Sequence, residues 1–570
     1  MDRNFMLAIA LSFLVLTTWT MWQEAQVEIR RPQGESQERT QGESPDARDA
    51  QYGAPGARSP EPDLLAEDSF PALPDPGESE PVLDEPLTDE LVTQGVGLEI
   101  AREQSLYRVV FNTVGARVQR FELTQYRDKR GAGVVLLDEE IGGGALTPFG
   151  DLGLGSLATA VWSLVEDDQD RLTFELDRSG IRIRKSYLLD PQSYVMRVRL
   201  EVENGSGASI APRFELRWPA REREGSDFVE QSLVALHDHE IETELLAGLG
   251  TGGWFSGEAK TVYLWPGEVD WAGAQTPYFL SAVFPDSPSQ ASARFVATRP
   301  GVSGVAEVYF NAEKVPAGQS ATREYRIYVG PKESERLAAL GSGAEKAVDL
   351  GWAWMAPLTA FFAWSLESLY SIVGNYGVAI IILTLLVRVV TTPLTMKQMK
   401  SMERMRTLQP KMKELQEKYA DDRQKQSEEL MALYRREKVN PLGGCFPLLL
   451  QMPVFIGLFY ALRSSVALRQ APFFGWIDDL SAPETLFVIP GIELPFRVLP
   501  VMMAASMVVQ QKITPMQADP AQAKMMMTIM PVMMLVLFYQ FPSGLVLYWM
   551  VSNVLAIAHQ LYVGRGLKKS

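Results

Sequence analysis

Residues 377–393 read GVAIIILTLLVRVVTTP, and the arginine inside that run governs how the rest of the chain is read. With its flanks the run reaches the roughly 20 apolar residues a helix needs to cross a bilayer. Arg388 at the centre of such a helix costs about 2.5–3.5 kcal/mol on insertion scales, so an arginine in this position usually faces a polar interior. Thr384 precedes it by one helical turn and Thr391 and Thr392 follow by one turn, which draws a polar stripe down one helix face. Two readings stand at this point. Either Arg388 occupies a wet intramembrane site, or it lies close enough to the Thr-Thr-Pro exit to snorkel to the headgroups.

Just beyond, residues 396–439 are charged, with 12 Lys or Arg against 8 Asp or Glu. Met396, Met399, Met402, Met405, Leu408, Met412, Leu415 and Tyr419 recur at three- or four-residue spacing. After Asp421-Asp422 the pattern resumes with Leu430, Met431, Leu433 and Tyr434. The spacing predicts an antiparallel helical hairpin kinked at Pro410. A short basic loop of this kind belongs in the cytoplasm. The methionine stripe either packs the two helices together or offers a soft docking face, with Met399, Met402, Met405 and Met412 as the capture residues.

Further apolar segments follow at 443–462, 498–509, 525–541 and 545–563. The first carries Pro447, Gln451 and Pro453, and the last carries Ser552, Asn553 and His559. Pro542-Ser543-Gly544 reads as a tight external turn, and Arg565, Lys568 and Lys569 place the C-terminus in the cytoplasm.

Working back from residue 377, the aromatic-rich stretch 350–373 contains Pro357 and Glu367 and reads as an amphipathic interfacial helix. From 96 to 332 the pattern has period two, as in Tyr194-Val-Met-Arg-Val-Arg-Leu-Glu-Val, and turn signals such as Asn204-Gly205 separate the runs. Many alternating strands without intervening helices predict an antiparallel β-sandwich. His237-Asp238-His239-Glu240 would put two histidines on one strand face, but two ligands without a third favour a surface loop over a metal site. Residues 23–95 are rich in Pro, Gly, Ser, Glu and Asp and predict a disordered acidic linker. Residues 5–22 are apolar, end in bulky Trp and Met without a small-x-small cleavage site, and read as an uncleaved anchor with its N-terminus in the cytoplasm.

The formal net charge of −16 is mostly local: between Glu24 and Glu90 there are 18 Asp or Glu against 5 Arg. An acidic balance argues against a specific nucleic-acid partner. A single cysteine, Cys445, excludes an intrachain disulfide, and three histidines leave little room for a metal enzyme.

The stretch Asn440-Pro-Leu-Gly-Gly-Cys-Phe-Pro-Leu-Leu-Leu-Gln-Met-Pro-Val-Phe resembles the YidC membrane-protein insertases of Gram-negative bacteria. Leu408-Gln-Pro-Lys, Leu468-Arg-Gln-Ala-Pro-Phe, Trp476-Ile-Asp-Asp-Leu-Ser and Phe541-Pro-Ser-Gly-Leu-Val-Leu-Tyr-Trp-Met-Val-Ser-Asn support the match. The resemblance is strongest over 350–565, weaker over the sandwich and absent in the linker. It implies a five-span bundle around a hydrophilic groove that is closed toward the periplasm. Arg388 and Thr384 would line that groove, with Gln451, Tyr548, Trp549 and Ser552. Relatives often have Tyr where this chain has Trp549, so a phenolic role there does not carry over.

The architecture expected is a polytopic α-helical membrane protein of six spans with a periplasmic antiparallel β-sandwich and a cytoplasmic helical hairpin. Its parts are an anchor (1–22), a linker (23–95), a sandwich (96–332), a connector (333–375) and a five-span insertase core (376–565) that includes the hairpin (396–439). The expected function is insertion of nascent inner-membrane proteins, with no catalytic residue, metal or cofactor. Nascent membrane proteins, the ribosome, the Sec translocon and the lipid bilayer are the implied partners, in a bacterial inner membrane with both termini cytoplasmic. A rival is an anion or small-solute transporter using Arg388. That would favour inverted repeats with paired broken helices, and the sequence contains no internal repeat. An intramembrane hydrolase finds no GxSxG or HExxH, and sugar binding by the sandwich is a further alternative.

Overall fold

The computed structural model describes residues 97–567 apart from 151, 223–229, 252–258, 421, 438–445, 492–493 and 514–519. The expected anchor and acidic linker lie outside the described residues, as do Cys445, Lys568, Lys569 and the side chains of Met399, Met402 and Met405.

Period-two sequence becomes antiparallel sheet. In Val195–Asn204, the residues Met196, Val198, Leu200 and Val202 are buried, while Arg197 and Arg199 between them point out. Each large apolar side chain turned inward contributes about 1.5–3 kcal/mol. A nine-stranded sheet runs through the domain, with one four-stranded sheet formed by the strands from Glu99 to Leu137 and another by Glu215–Arg221, Val262–Trp265, Ala291–Arg299 and Ser303–Phe310. Trp162, Trp218 and Trp271 are among the largest side chains of one continuous core.

On the polar side of the second four-stranded sheet sits a closed ionic network. Glu215 is fully buried and accepts from Arg217 Nε at 2.6 Å and from Arg213 at 2.8 Å. Arg217 also reaches Glu307 at 2.9 Å, and Arg294 pairs with Glu307. Against the desolvation that burial imposes, Arg217, Arg213 and Arg294 hold the Glu215 carboxyl below its ordinary range.

The histidine cluster is a turn. His237 ends one strand and Glu240 begins the next, with Asp238 (φ 47°) and His239 (φ 65°) as the two central residues. Two successive positive φ values make the tight hairpin turn that suits strand twist. The histidines therefore do not share a strand face, and no group of three potential metal ligands occurs among the described residues.

A short helix, α1 (Ser334–Leu340), leads out of the sandwich to α2 (Ala356–Val373). Gly374 closes α2 in the left-handed conformation (φ 67°), and the Asn375 side chain accepts from Val378 N at 3.1 Å to open α3 (Tyr376–Lys418). Gly377 has no freedom to change, because a Cβ there would collide with the Phe473 ring. Then come α4 (Arg423–Arg436), α5 (Phe446–Ser464), α6 (Val498–Ile513), α7 (Pro520–Phe538) and α8 (Ser543–Leu567). Residues Tyr376–Met396 of α3 and Ser543–Tyr562 of α8 are long and apolar enough to cross a membrane, while α6 and Met527–Phe538 of α7 are shorter. Helix α2 packs on α3 and α5, α8 on α3 and α6, and α7 on α6.

The expected exit at Pro393 is not a break: α3 continues through Pro393 and Pro410 for 43 residues. Proline at 393 removes the backbone donor that would meet Val389 O, and the threonine hydroxyls around it bond other carbonyls of the same stretch. Thr391 Oγ1 donates to Val387 O at 2.9 Å, Thr392 Oγ1 to Arg388 O at 2.6 Å and Thr395 Oγ1 to Thr391 O at 3.0 Å. The antiparallel hairpin forms between the end of α3 and α4, where Lys411 pairs with Glu437 at 3.0 Å and Gln426 donates to Gln416 O at 2.9 Å.

The sandwich rests directly on one end of the bundle. Arg463, in the last turn of α5, pairs with Glu230 and lies 3.9 Å from Asp349. Arg469 donates to the Arg127 carbonyl and stacks 5.8 Å from the Phe279 ring centre. Beside them Lys332 is buried, donating to Gln275 Oε1 at 3.0 Å, and burial pushes its pKa down to about 8.

Candidate functional site: an arginine among three helices

The period of α3 sorts its side chains onto two faces. Leu385, Leu386, Val389 and Val390 are exposed, the last by 76%, and form the outward face. Thr384, Arg388 and Thr391 lie on the opposite side. The carbon stem of Arg388 carries its guanidinium toward α8. There Nε and one terminal nitrogen donate to Ser552 Oγ at 3.0 and 2.5 Å. An arginine offers five donors. Among the described residues Arg388 makes no other side-chain hydrogen bond and no ion pair, so donor capacity is left over.

One turn earlier on α8, Tyr548 is buried and accepts from Gln451 Nε2 on α5. Arg388, Ser552, Tyr548 and Gln451 therefore form a polar path across α3, α8 and α5, embedded in otherwise apolar helices. Thr384 is buried on the same face of α3, but its hydroxyl is committed to Ile380 O at 2.6 Å. Trp549 turns aside from the polar path. It packs edge-on against Phe455 at 4.9 Å and tilted on Phe538 at 5.1 Å, an aromatic wall between α5, α7 and α8.

Of the capture methionines, Met412 is described. It packs with Leu408 and Tyr434, whose hydroxyl donates to its Sδ at 3.7 Å, so it joins the two helices of the hairpin. One polar pair escaped the sequence reading as a site: Asn553 Nδ2 donates to Ser506 Oγ on α6 at 3.1 Å. The available signal was a serine among the small residues Ala504-Ala505-Ser506, the composition that lets membrane helices approach closely.

Fold and site together define an apolar helical bundle, two of its helices long enough to cross a membrane, with a half-buried arginine between them and a β domain seated on one end. Residues 99–365 match the family described as YidC periplasmic domain, and residues 368–570 match the family described as 60Kd inner membrane protein. A Membrane protein insertase YidC from Geobacter sp. (strain M21) is 34% identical over 486 residues, covering 82% of this chain and 86% of that protein. The Pelobacter propionicus protein of the same name is 35% identical over 82% of this chain and 86% of its own length. The Cupriavidus metallidurans protein is 35% identical over 85% of this chain and 86% of its own. The chain belongs to the YidC membrane protein insertase family. It is an inner-membrane insertase with a periplasmic β-sandwich domain.

Proposed function

We propose that this insertase receives the short polar segments of nascent membrane proteins in a hydrophilic groove between α3, α5 and α8, and releases their apolar helices sideways into lipid. The observation that carries the reading is the half-buried Arg388 guanidinium, which bonds Ser552 and has no carboxylate partner among the described residues. A cation whose charge no residue neutralises attracts acidic side chains, and in a low-dielectric setting that attraction exceeds its value in water. Each charged side chain would otherwise meet a barrier of about 2.5–3.5 kcal/mol at the bilayer centre. Apolar partitioning drives the last step, so no nucleotide is needed.

In this reading the core has five spans and the expected anchor at 1–22 adds a sixth, with both termini cytoplasmic. The hairpin of α3 and α4 then lies in the cytoplasm, where it meets clients emerging from the ribosome, alone or beside the Sec translocon. The basic balance of residues 396–439 supports that side. The test is photocrosslinking from Thr392 and Gln451 to ribosome-bound nascent chains of increasing length. Adducts should appear first through the polar segment and then through the apolar helix. Adducts through the apolar helix alone would overturn the groove reading.

A further inference from the structure

Between α5 and α6, on the sandwich side of the bundle, the chain forms a two-stranded hairpin from Phe487–Ile489 and Leu494–Phe496. Residues 485–496 read TLFVIPGIELPF, with Glu493 as the sole charge. Phe487 stacks on Phe496 at 5.1 Å, and the register puts Ile489 and Leu494 on the same side, while Val488 and Pro495 occupy the other. Little of this surface is covered. Phe487 is 51% exposed, Val488 52% and Leu494 46%.

Such a hairpin is a poor solute. Two strands alone are marginally stable in water, and an exposed apolar edge with no charge within its strands invites aggregation. Its base, in contrast, is fixed by polar contacts. Glu484 accepts from Leu499 N at 2.7 Å, the Tyr539 hydroxyl donates to Pro495 O, and Arg497 lies 4.6 Å over the Tyr539 ring while donating to its carbonyl. These contacts tie the hairpin to the start of α6 and the end of α7. Val501 and Met502, in the first two turns of α6, continue the exposed apolar surface. The hairpin is therefore continuous with the lipid-facing side of the bundle, at the end where the periplasmic domain sits.

We propose that this hairpin is an interfacial wedge seated in the periplasmic leaflet, with Phe487, Val488, Leu494 and Phe496 among the acyl chains near the headgroups. Apolar and aromatic side chains without charge suit that depth. The wedge lies beside α6 and α7, whereas the exposed aromatics Trp354, Phe361 and Trp364 belong to the α2 region, which packs on α3 and α5. The bundle thus holds the periplasmic leaflet at two separate places.

The test uses the full chain in phosphatidylethanolamine–phosphatidylglycerol vesicles, in a Cys445→Ser background. An environment-sensitive fluorophore is placed by Val488→Cys or Leu494→Cys, with Lys314→Cys on the exposed sandwich surface as reference. Retention of the parent thermal transition shows that each variant folds. Blue-shifted emission at 488 and 494, quenched several-fold more by brominated lipid than the probe at 314, supports the wedge. Quenching by aqueous iodide equal to that at 314 overturns it. So does a lipid-insensitive blue shift that depends on protein concentration, which would mark a second copy. A blue shift that arises only with bound nascent chains would mark a client surface and overturn it as well.

Discussion

The sandwich and the bundle both take arginine out of water, and they treat it in opposite ways. Arg217 in the sandwich has Glu215 at 2.6 Å and Glu307 at 2.9 Å, and Arg213 and Arg294 close the network around the same two carboxylates. Arg388 in the bundle has one serine hydroxyl. A fully paired buried charge has nothing left to offer a partner and serves the integrity of its domain. An arginine held by a neutral group keeps its field. The difference separates a polar cluster that is satisfied internally from one with donor capacity to spare.

The largest effect expected from this contrast is on stability. Glu215→Ala leaves Arg213 without its carboxylate and Arg217 and Arg294 sharing Glu307, and breaking a buried pair costs about 3–5 kcal/mol. Thermal unfolding of the full chain in lipid nanodiscs should show that loss, while the molecules that remain folded insert clients at the parent rate. A specific loss of insertion by folded protein would break the contrast, because the sandwich network would then also act on clients.

Next comes pH. Lys332 has its pKa lowered by burial from 10.5 to about 8. Between those values the unfolded chain carries a proton that the folded chain has released, so stability rises with pH across that window. The gain is about 3 kcal/mol at most. Below pH 8 both states are protonated and the folded one bears the desolvation cost. Lys332→Met should remove this slope, read as the difference between melting temperatures at pH 7.5 and 10. An unchanged slope would show that the ammonium is solvated in the protein.

On the bundle side, Arg388→Ala should slow insertion of clients with acidic translocated segments about tenfold, equivalent to about 1.4 kcal/mol. Neutral clients should change less. Arg388→Lys should retain most activity if field and hydration suffice, since lysine keeps the charge but not the planar fork. Lys failing as badly as Ala would mean that bidentate geometry matters. Equal rates for Arg and Ala across the client series would mean that the arginine only snorkels. The smallest effect belongs to Ser552→Ala, which frees the guanidinium without changing its charge. A two- to threefold change is expected, on the order of 0.5 kcal/mol, and a loss as large as that of Arg388→Ala would make orientation the main contribution of the site.

Much of this was legible in the sequence because it follows from local periodicity. Thr384, Arg388 and Thr391 share a face of α3 by spacing alone, and Met196, Val198, Leu200 and Val202 turn inward by alternation. What periodicity does not encode is the partner. Val195–Asn204 pairs with Ser320–Pro331, more than a hundred residues on, and nothing in either strand specifies the other. The polar path has the same character: Gln451 and Tyr548 are 97 residues apart, and family resemblance rather than spacing put them together. The histidine cluster is the surface turn favoured over a metal site, while Pro393 departs from the expected helix exit. Two positive φ values close the bend at the histidines, and the helix runs on through Pro393 although that residue has no donor for Val389 O.

The uninterrupted α3 has a mechanical meaning. At 1.5 Å per residue its 43 residues make a rod roughly 65 Å long, with Arg388 near one third of its length. Pro393 removes one rung just past the arginine, and a missing rung is where a long helix bends. A 10° flexure at that point would sweep Lys418 through roughly 6 Å, because some 25 residues of lever arm lie beyond it. Arg388, on the near side of the pivot, would stay where Ser552 holds it. The rod is thus built as a crank: its far end can swing through several ångströms while the charge at its root keeps one address.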